Sequence, residues 1–305
     1  MAQPAQNVFH ALDQALAAAV ATAGSSVVHV ARGHGHGGTG IVWADDLVVS
    51  ASFHTPDRTR IGVAKPGDPD GELDLRDAEV IGRDPGTDVA LLRVTGGGLC
   101  PAKLRDVGDL AVGNLALALG RPGRTVRASL RAIGVLGPSV RTPRGGKLDR
   151  YVESDRQIPR GFAGGPLIDA DGAVIGMNTR TLLRGEDVAV PTATLRRVVD
   201  ELSAHGGVRR GYLGVGAFPA QLSPQLTQLV GRDRGALVGS VEDGGPAASS
   251  GVIVGDIIVE VAGTPVTDPD TLRFALGDRP GETVELVVVR GGARHALTAT
   301  LGSKS

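Results

Sequence analysis

From about residue 26 to residue 190 the apolar side chains come only in short runs, each closed by Gly, Pro or Asp. Residues 40–43 (Gly-Ile-Val-Trp), 47–50 (Leu-Val-Val-Ser), 89–94 (Val-Ala-Leu-Leu-Arg-Val) and 173–176 (Ala-Val-Ile-Gly) are such runs. Runs this short cannot be amphipathic helices; spaced by turns, they predict many strands closed into a barrel or sandwich. The 46 glycines supply the turns, and with aromatics at 3% the core must be built from Val, Leu, Ile and Ala. Helical spacing appears at 8–23 and again at 194–204, where Leu195, Val198, Val199 and Leu202 share a face. His205-Gly206-Gly207 ends that second helix, because glycine accepts the left-handed conformation at a helix C-terminus. A second strand-rich block with two helices, one at 270–277, follows to the C-terminus. The spacing therefore predicts a helical segment at 1–25, a mostly β first domain at 26–204, a linker at 205–210 and a second domain at 211–305.

The 305 residues suit two domains of ordinary size. A formal net charge of −1, with both signs interspersed, argues against nucleic-acid and membrane-surface partners. No apolar run reaches the roughly 18 residues of a membrane-spanning helix. Residues 1–6 lack a basic region and the Ala-rich 15–23 runs on into Val27-Val28-His29-Val30, so a cytoplasmic chain is expected. A chain whose export signal had been removed, and which worked in the periplasm, would read the same. The single cysteine, Cys100, excludes an internal disulfide and reads as a small hydrophobe. His34 and His36 sit in a Gly-rich tip with no Cys or carboxylate nearby, and Asp169-Ala170-Asp171-Gly172 lacks the Glu that ends a calcium loop. Both read as turns, and neither a metal nor a cofactor is expected.

The segment Gly161-Phe162-Ala163-Gly164-Gly165-Pro166-Leu167-Ile168 resembles the nucleophile turn of trypsin-like serine proteases. More narrowly it is similar to the HtrA/Deg family, with its Gly-Asn-Ser-Gly-Gly-Pro-Leu pattern. Asp84-Pro85-Gly86-Thr87-Asp88 resembles the family's acid segment, and 112–122, 131–136, 153–158 and 188–191 resemble further family strands in the right order. The resemblance covers about residues 24–200 and implies a trypsin-like double β-barrel. It places Asp88 at the acid position, and the N–H groups of Gly161 and Ala163 at the oxyanion hole that stabilises a tetrahedral intermediate. Two positions depart from the pattern. Ala163 stands where the family has its serine, and a methyl group cannot attack a carbonyl. Register from Val49-Ser50 puts Phe53 at the base position, with His54 one residue late as the alternative base. Phe53 and Phe162 are expected to meet and plug the cleft, or else Phe162 turns outward and Phe53 joins the first barrel's core.

The second block, with Arg210-Gly211-Tyr212-Leu213-Gly214-Val215, Gly245-Pro246-Ala247-Ala248 and residues 255–263, resembles the PDZ domain of HtrA proteins. That implies a sandwich-like domain with two helices that adds a peptide as a strand to a sheet edge. Arg210, Tyr212, Leu213, Gly214 and Val215 would receive the peptide's C-terminal carboxylate, with Leu272 and Leu276 on the helical wall; the same apolar residues could instead fill the core. The implied partners are polypeptide C-termini, and the family's trimers suggest a homo-oligomer, although Phe9 is the only aromatic near the N-terminus. Two functions follow from the resemblance. One is a non-catalytic peptide-binding or scaffolding homologue. The other is an HtrA-type endopeptidase acting on unfolded polypeptides, seen with serine replaced by alanine at 163.

Overall fold

The computed structural model describes residues 3–31, 37–65, 67–68, 71–183, 186–277 and 279–304, without the side chains of 3–7 and of His54. His34 and His36 lie outside the described residues. The chain divides into two compact units, Met1–Val208 and Arg209–Ser305.

The first unit opens with helix α1 (Gln3–Gly24), whose alanines favour helix and let it lie close on its neighbours. Six strands then close a barrel: β1 (Val27–Val30), β2 (Gly38–Ala44), β3 (Leu47–Ala51), β4 (Arg58–Val63), β5 (Asp74–Asp84) and β6 (Val89–Val94), in the order β1-β2-β3-β6-β5-β4. The second barrel uses β7 (Leu115–Gly120) and β8 (Arg127–Gly137), then, after a small hairpin of β9 (Val140–Arg141) and β10 (Lys147–Leu148), β11 (Tyr151–Ser154), β12 (Pro166–Ile168), β13 (Val174–Leu183) and β14 (Glu186–Pro191). Its order is β11-β14-β13-β12-β7-β8. Closure removes the open edges that short strands would otherwise expose. Helix α2 (Thr192–His205) ends at Gly206, whose φ of 70° lets its N–H reach the carbonyl of Leu202.

Each barrel is filled by its own aliphatic cluster, and a third cluster joins them. Ile41, Val49 and Leu91 from the first barrel meet Leu119, Ile168 and Met177 from the second. The buried face of α2 and Ala19 and Ala23 of α1 complete this junction. Between the barrels, therefore, the interior is continuous, and loops from both converge on one cleft.

The second unit pairs β15 (Arg210–Tyr212) with β22 (Gly302–Lys304) beside a sheet in the order β16 (Val215–Gln221), β17 (Arg234–Val241), β18 (Ile257–Val261), β20 (Thr283–Arg290) and β21 (Ala293–Thr300), with β19 (Thr264–Pro265) on β18. Among the described residues three helices occur where two were expected: α3 (Pro224–Val230), the single turn α4 (Pro246–Ser249) and α5 (Pro269–Leu276). The two short helices α3 and α4 begin with Ser-Pro and Gly-Pro, pairs that read as turns as readily as helix starts. α5 carries a capping box, with Asp268 accepting from Thr271 N–H.

Candidate active-site cleft and peptide groove

Asp88 sits on the turn between β5 and β6 with a φ of 58°, a strained conformation for a residue with a side chain. The turn is fixed by Asp84, whose carboxylate accepts from Gly86 N–H at 3.0 Å and from the Thr87 hydroxyl at 2.7 Å. Asp88 is 1% exposed. One carboxylate oxygen accepts the Phe53 N–H at 2.9 Å; the other accepts the hydroxyls of Thr179, at 2.5 Å, and Thr181, at 3.0 Å. An ionised carboxylate has about four acceptor sites. Three are thus engaged, by donors from both barrels.

Phe53 lies in the 3-10 turn Ser52–His54 that follows β3, so its backbone faces Asp88 while its ring points away. The ring is 58% exposed, and the Arg144 guanidinium from the β9–β10 hairpin lies 4.7 Å from its centroid, a cation–π arrangement. The hairpin is tied down next to Asp88: the Thr142 hydroxyl donates to the Gly86 carbonyl at 2.7 Å and accepts the Gly146 N–H at 3.1 Å. The His54 side chain lies outside the described residues, and with it the question of whether His54 reaches Asp88.

The expected plug of two phenylalanines does not form. Phe162 is 4% exposed and belongs to the second barrel's core. Its ring occupies the space left by the missing side chain of Gly120, where a Cβ would come within 2.6 Å. The alternative arrangement fails too, since Phe162 turns inward and Phe53 stays at the surface. The reason is the turn itself: Phe162 N–H bonds back to the Pro159 carbonyl at 3.2 Å, and Gly165 N–H to the Phe162 carbonyl at 2.9 Å, which aims the ring into the barrel.

That turn depends on glycine at two places. Gly161 and Gly164 have φ of 85° and 84°. A Cβ on Gly164 would lie 2.4 Å from the Thr39 carbonyl oxygen. The Thr39 hydroxyl donates to the Gly161 carbonyl at 2.6 Å and itself accepts the Arg121 N–H at 2.8 Å. Asn178 clamps the other side, donating from its side chain to the carbonyls of Gly165 and Pro166. Among the described residues, the N–H groups of Gly161 and Ala163 have no acceptor. The turn therefore holds two unspent donors beside the buried methyl of Ala163. Upstream, buried Arg131 donates to the carbonyls of Arg156 and Gln157, and Asp187 accepts the Ile158 N–H. Burial pushes the Arg131 guanidinium below the usual arginine value. Sequence reasoning missed Thr39, Asn178, Arg131 and Asp187.

In the second unit Leu213, Leu272 and Leu276 are buried in the core. Gly214 has a φ of 80° and its carbonyl accepts the Glu242 N–H at 2.9 Å. The Tyr212 hydroxyl donates to the Glu242 carboxylate, and the Lys304 ammonium lies 4.7 Å from the Tyr212 ring centroid. Arg210 pairs with Lys304 across β15 and β22. β16 is one of the sheet's two edge strands, with α5 beside it. Val215 and Ala217 on β16 turn toward the core that contains Leu272, while Phe218 is exposed.

Comparison with known proteins fits both units. The model of a trypsin-like peptidase domain matches residues 38–177 and that of a PDZ domain matches 237–290. The probable periplasmic serine endoprotease DegP-like of Ectopseudomonas mendocina (strain ymp) is 35% identical over 238 residues, 74% of this chain and 49% of the relative. The protein of the same description from Brucella suis biovar 1 is 32% identical over 242 residues, 74% of this chain and 45% of the relative. Among solved structures, the HtrA-type protease AlgW with tripeptide is 27% identical with a TM-score of 0.67, covering 95% of this chain and 97% of its own. The serine endoprotease from Yersinia pestis is 25% identical with a TM-score of 0.70, covering 95% and 98%. The chain belongs to the HtrA family. It spans about half the length of the curated relatives it matches.

Both of those HtrA relatives are named periplasmic, and the cytoplasmic placement expected from the N-terminus finds no support. That expectation rested on the lack of a basic region in residues 1–6. No helix among the described residues is long and apolar enough to cross a membrane.

Proposed function

We propose that this HtrA homologue is catalytically silent and binds polypeptide segments, through its PDZ unit and its open cleft, in an extracytoplasmic compartment. The observation that carries the reading is the pair Ala163 and Phe53. At 163 a methyl group lies beside two unspent N–H donors, so the charge-stabilising part of a hydrolase persists without an attacking atom. At 53, the position that the family resemblance gives to the base, the backbone N–H donates to Asp88, and a phenyl ring cannot take a proton. In an unrelated serine protease, losing the triad serine or histidine costs on the order of a millionfold in turnover. In the PDZ unit, edge strand β16 would receive the peptide, and the Leu213-Gly214-Val215 turn its terminal carboxylate. Homo-oligomer formation belongs to the same proposal.

A second reading is favoured by the intact surroundings of Asp88, whose donors are those an endopeptidase acid would use for orientation. In it, serine belongs at 163 and His54 is the base. Casein cleavage separates the two. The silent reading expects Ala163→Ser to be inactive, and Phe53→His with Ala163→Ser to gain cleavage. Cleavage by Ala163→Ser alone, abolished by adding His54→Ala, establishes the endopeptidase instead. Peptide binding is measured on the full chain by fluorescence anisotropy with a library of free C-termini; no binding to any of them removes the PDZ part.

A further inference from the structure

A cavity of about 690 Å³ opens between the C-terminal half of α1 and the first barrel, away from the Asp88 cleft. Its α1 wall is Ala17, Val20 and Ala21; Val63, Ala64 and Val126 face them. Among the described residues its charged groups are of one sign: Lys65, Arg76 and Arg121 line it, and no carboxylate does. Arg76 is paired with Asp74, and Arg121 is buried with its guanidinium on the carbonyls of Val27, Arg124 and Gly24. The Lys65 ammonium is exposed and has no ion-pair partner among the described residues. It is open to solvent along one side, where Ala17, Ala21 and Cys100 are exposed, and its volume is in the range that seats a small ligand, whose kind its few polar groups decide. Aliphatic walls ask for a hydrocarbon chain, and the one ammonium left without an ion-pair partner among the described residues, that of Lys65, asks for an anion.

We propose that this cavity binds a single-chain carboxylate amphiphile, a fatty acid, with its tail along α1 and its carboxylate at Lys65. This function is independent of the fate of the triad and of the PDZ groove, since none of the lining residues belongs to either.

Cys100 makes the test direct. It is exposed, it lines the cavity beside Ser25, whose hydroxyl lies 3.7 Å from its sulfur, and it is the chain's single cysteine. Alkylation of the full chain by N-ethylmaleimide is followed by mass spectrometry with sodium dodecanoate kept below its micellar concentration. Saturable protection of about tenfold is expected. Decanoate should need roughly tenfold more for the same protection, the effect of two buried methylenes. Dodecanol and dodecylphosphocholine should protect at least several-fold more weakly, and Lys65→Ala should weaken dodecanoate alone. Ala21→Phe, a change at an exposed helical position, should fill the site and abolish protection while circular dichroism stays unchanged. Calorimetric titration of the unaltered chain gives the same answer without any variant. The proposal is overturned by no protection and no heat below the micellar concentration, or by equal protection from dodecanol or dodecylphosphocholine. Protection that survives Ala21→Phe, or that follows protein concentration and not dodecanoate, overturns it as well; the latter would mean that a second copy covers the thiol.

Discussion

At the scale of single residues, the cleft is held by hooks from side chain to backbone. Thr39, Asn178 and Arg131 each grip carbonyls of the 156–166 segment, and Asp88 grips one N–H and two hydroxyls. Such contacts leave no periodic trace in the sequence, because donor and acceptor are far apart along the chain. Thr39 and Gly161, for instance, are 122 positions apart. Gly164 and Asp88, by contrast, were legible from short motifs. Gly164→Ala must fit a Cβ 2.4 Å from a carbonyl oxygen at a φ of 84°. It should destabilise the first unit by about 2 kcal/mol, read from the urea midpoint. Gly123→Ala, where a Cβ meets nothing within 4 Å, is the control and should be neutral or slightly stabilising. Equal losses in the two variants would refute the steric account.

At the scale of elements, strands with unbroken apolar runs were readable, as was the α2 stop at Gly206. The β9–β10 hairpin was not, because residues 138–150 carry no apolar run and owe their place to contacts outside themselves. Its anchor is Thr142, buried on the Gly86 carbonyl. Thr142→Val keeps the shape and removes the hydroxyl, leaving that carbonyl and the Gly146 N–H each one partner short. A loss of about 1–2 kcal/mol is expected, with faster proteolysis confined to the hairpin. If protection against protease is unchanged, the hairpin is held by something other than this hydroxyl.

At the scale of the whole molecule, the order of units was legible because each carries its own pattern of runs and turns. The division falls between Val208 and Arg209, where α2 has ended and β15 is about to begin. Each unit has a separate core, which predicts separable unfolding and gives the second unit its own acid sensitivity. Burial pushes the Asp256 carboxyl upward, but hydrogen bonds from Arg290 and the Ile253 N–H outweigh it and hold the group below the ordinary carboxylate value. The folded unit thus binds this proton more weakly than the unfolded chain does. Its stabilisation is complete above about pH 4 and is lost as pH falls through the folded value. Asp256→Asn should lower the melting temperature of the second unit at pH 7 and flatten its dependence on acid, with the first unit's transition unmoved. An unchanged acid slope in calorimetry would show that other carboxylates govern it.

The placement of Asp88 bears on how proteins of this kind are sorted in genomes. Because donors from both barrels converge on its carboxylate, the aspartate is part of the frame that lets the two halves meet. Loss of hydrolysis would relax any constraint on position 163, where alanine is accommodated within the turn, but would leave the demand for a carboxylate at 88 untouched. Drift in a lineage without protease activity should then erode the three triad positions unequally, with the acid outlasting the nucleophile and the base. On the silent reading proposed above, an inventory that counts a chain as an enzyme because its aspartate is present would count frames, and only the pair at 53 and 163 would separate enzymes from their silent kin.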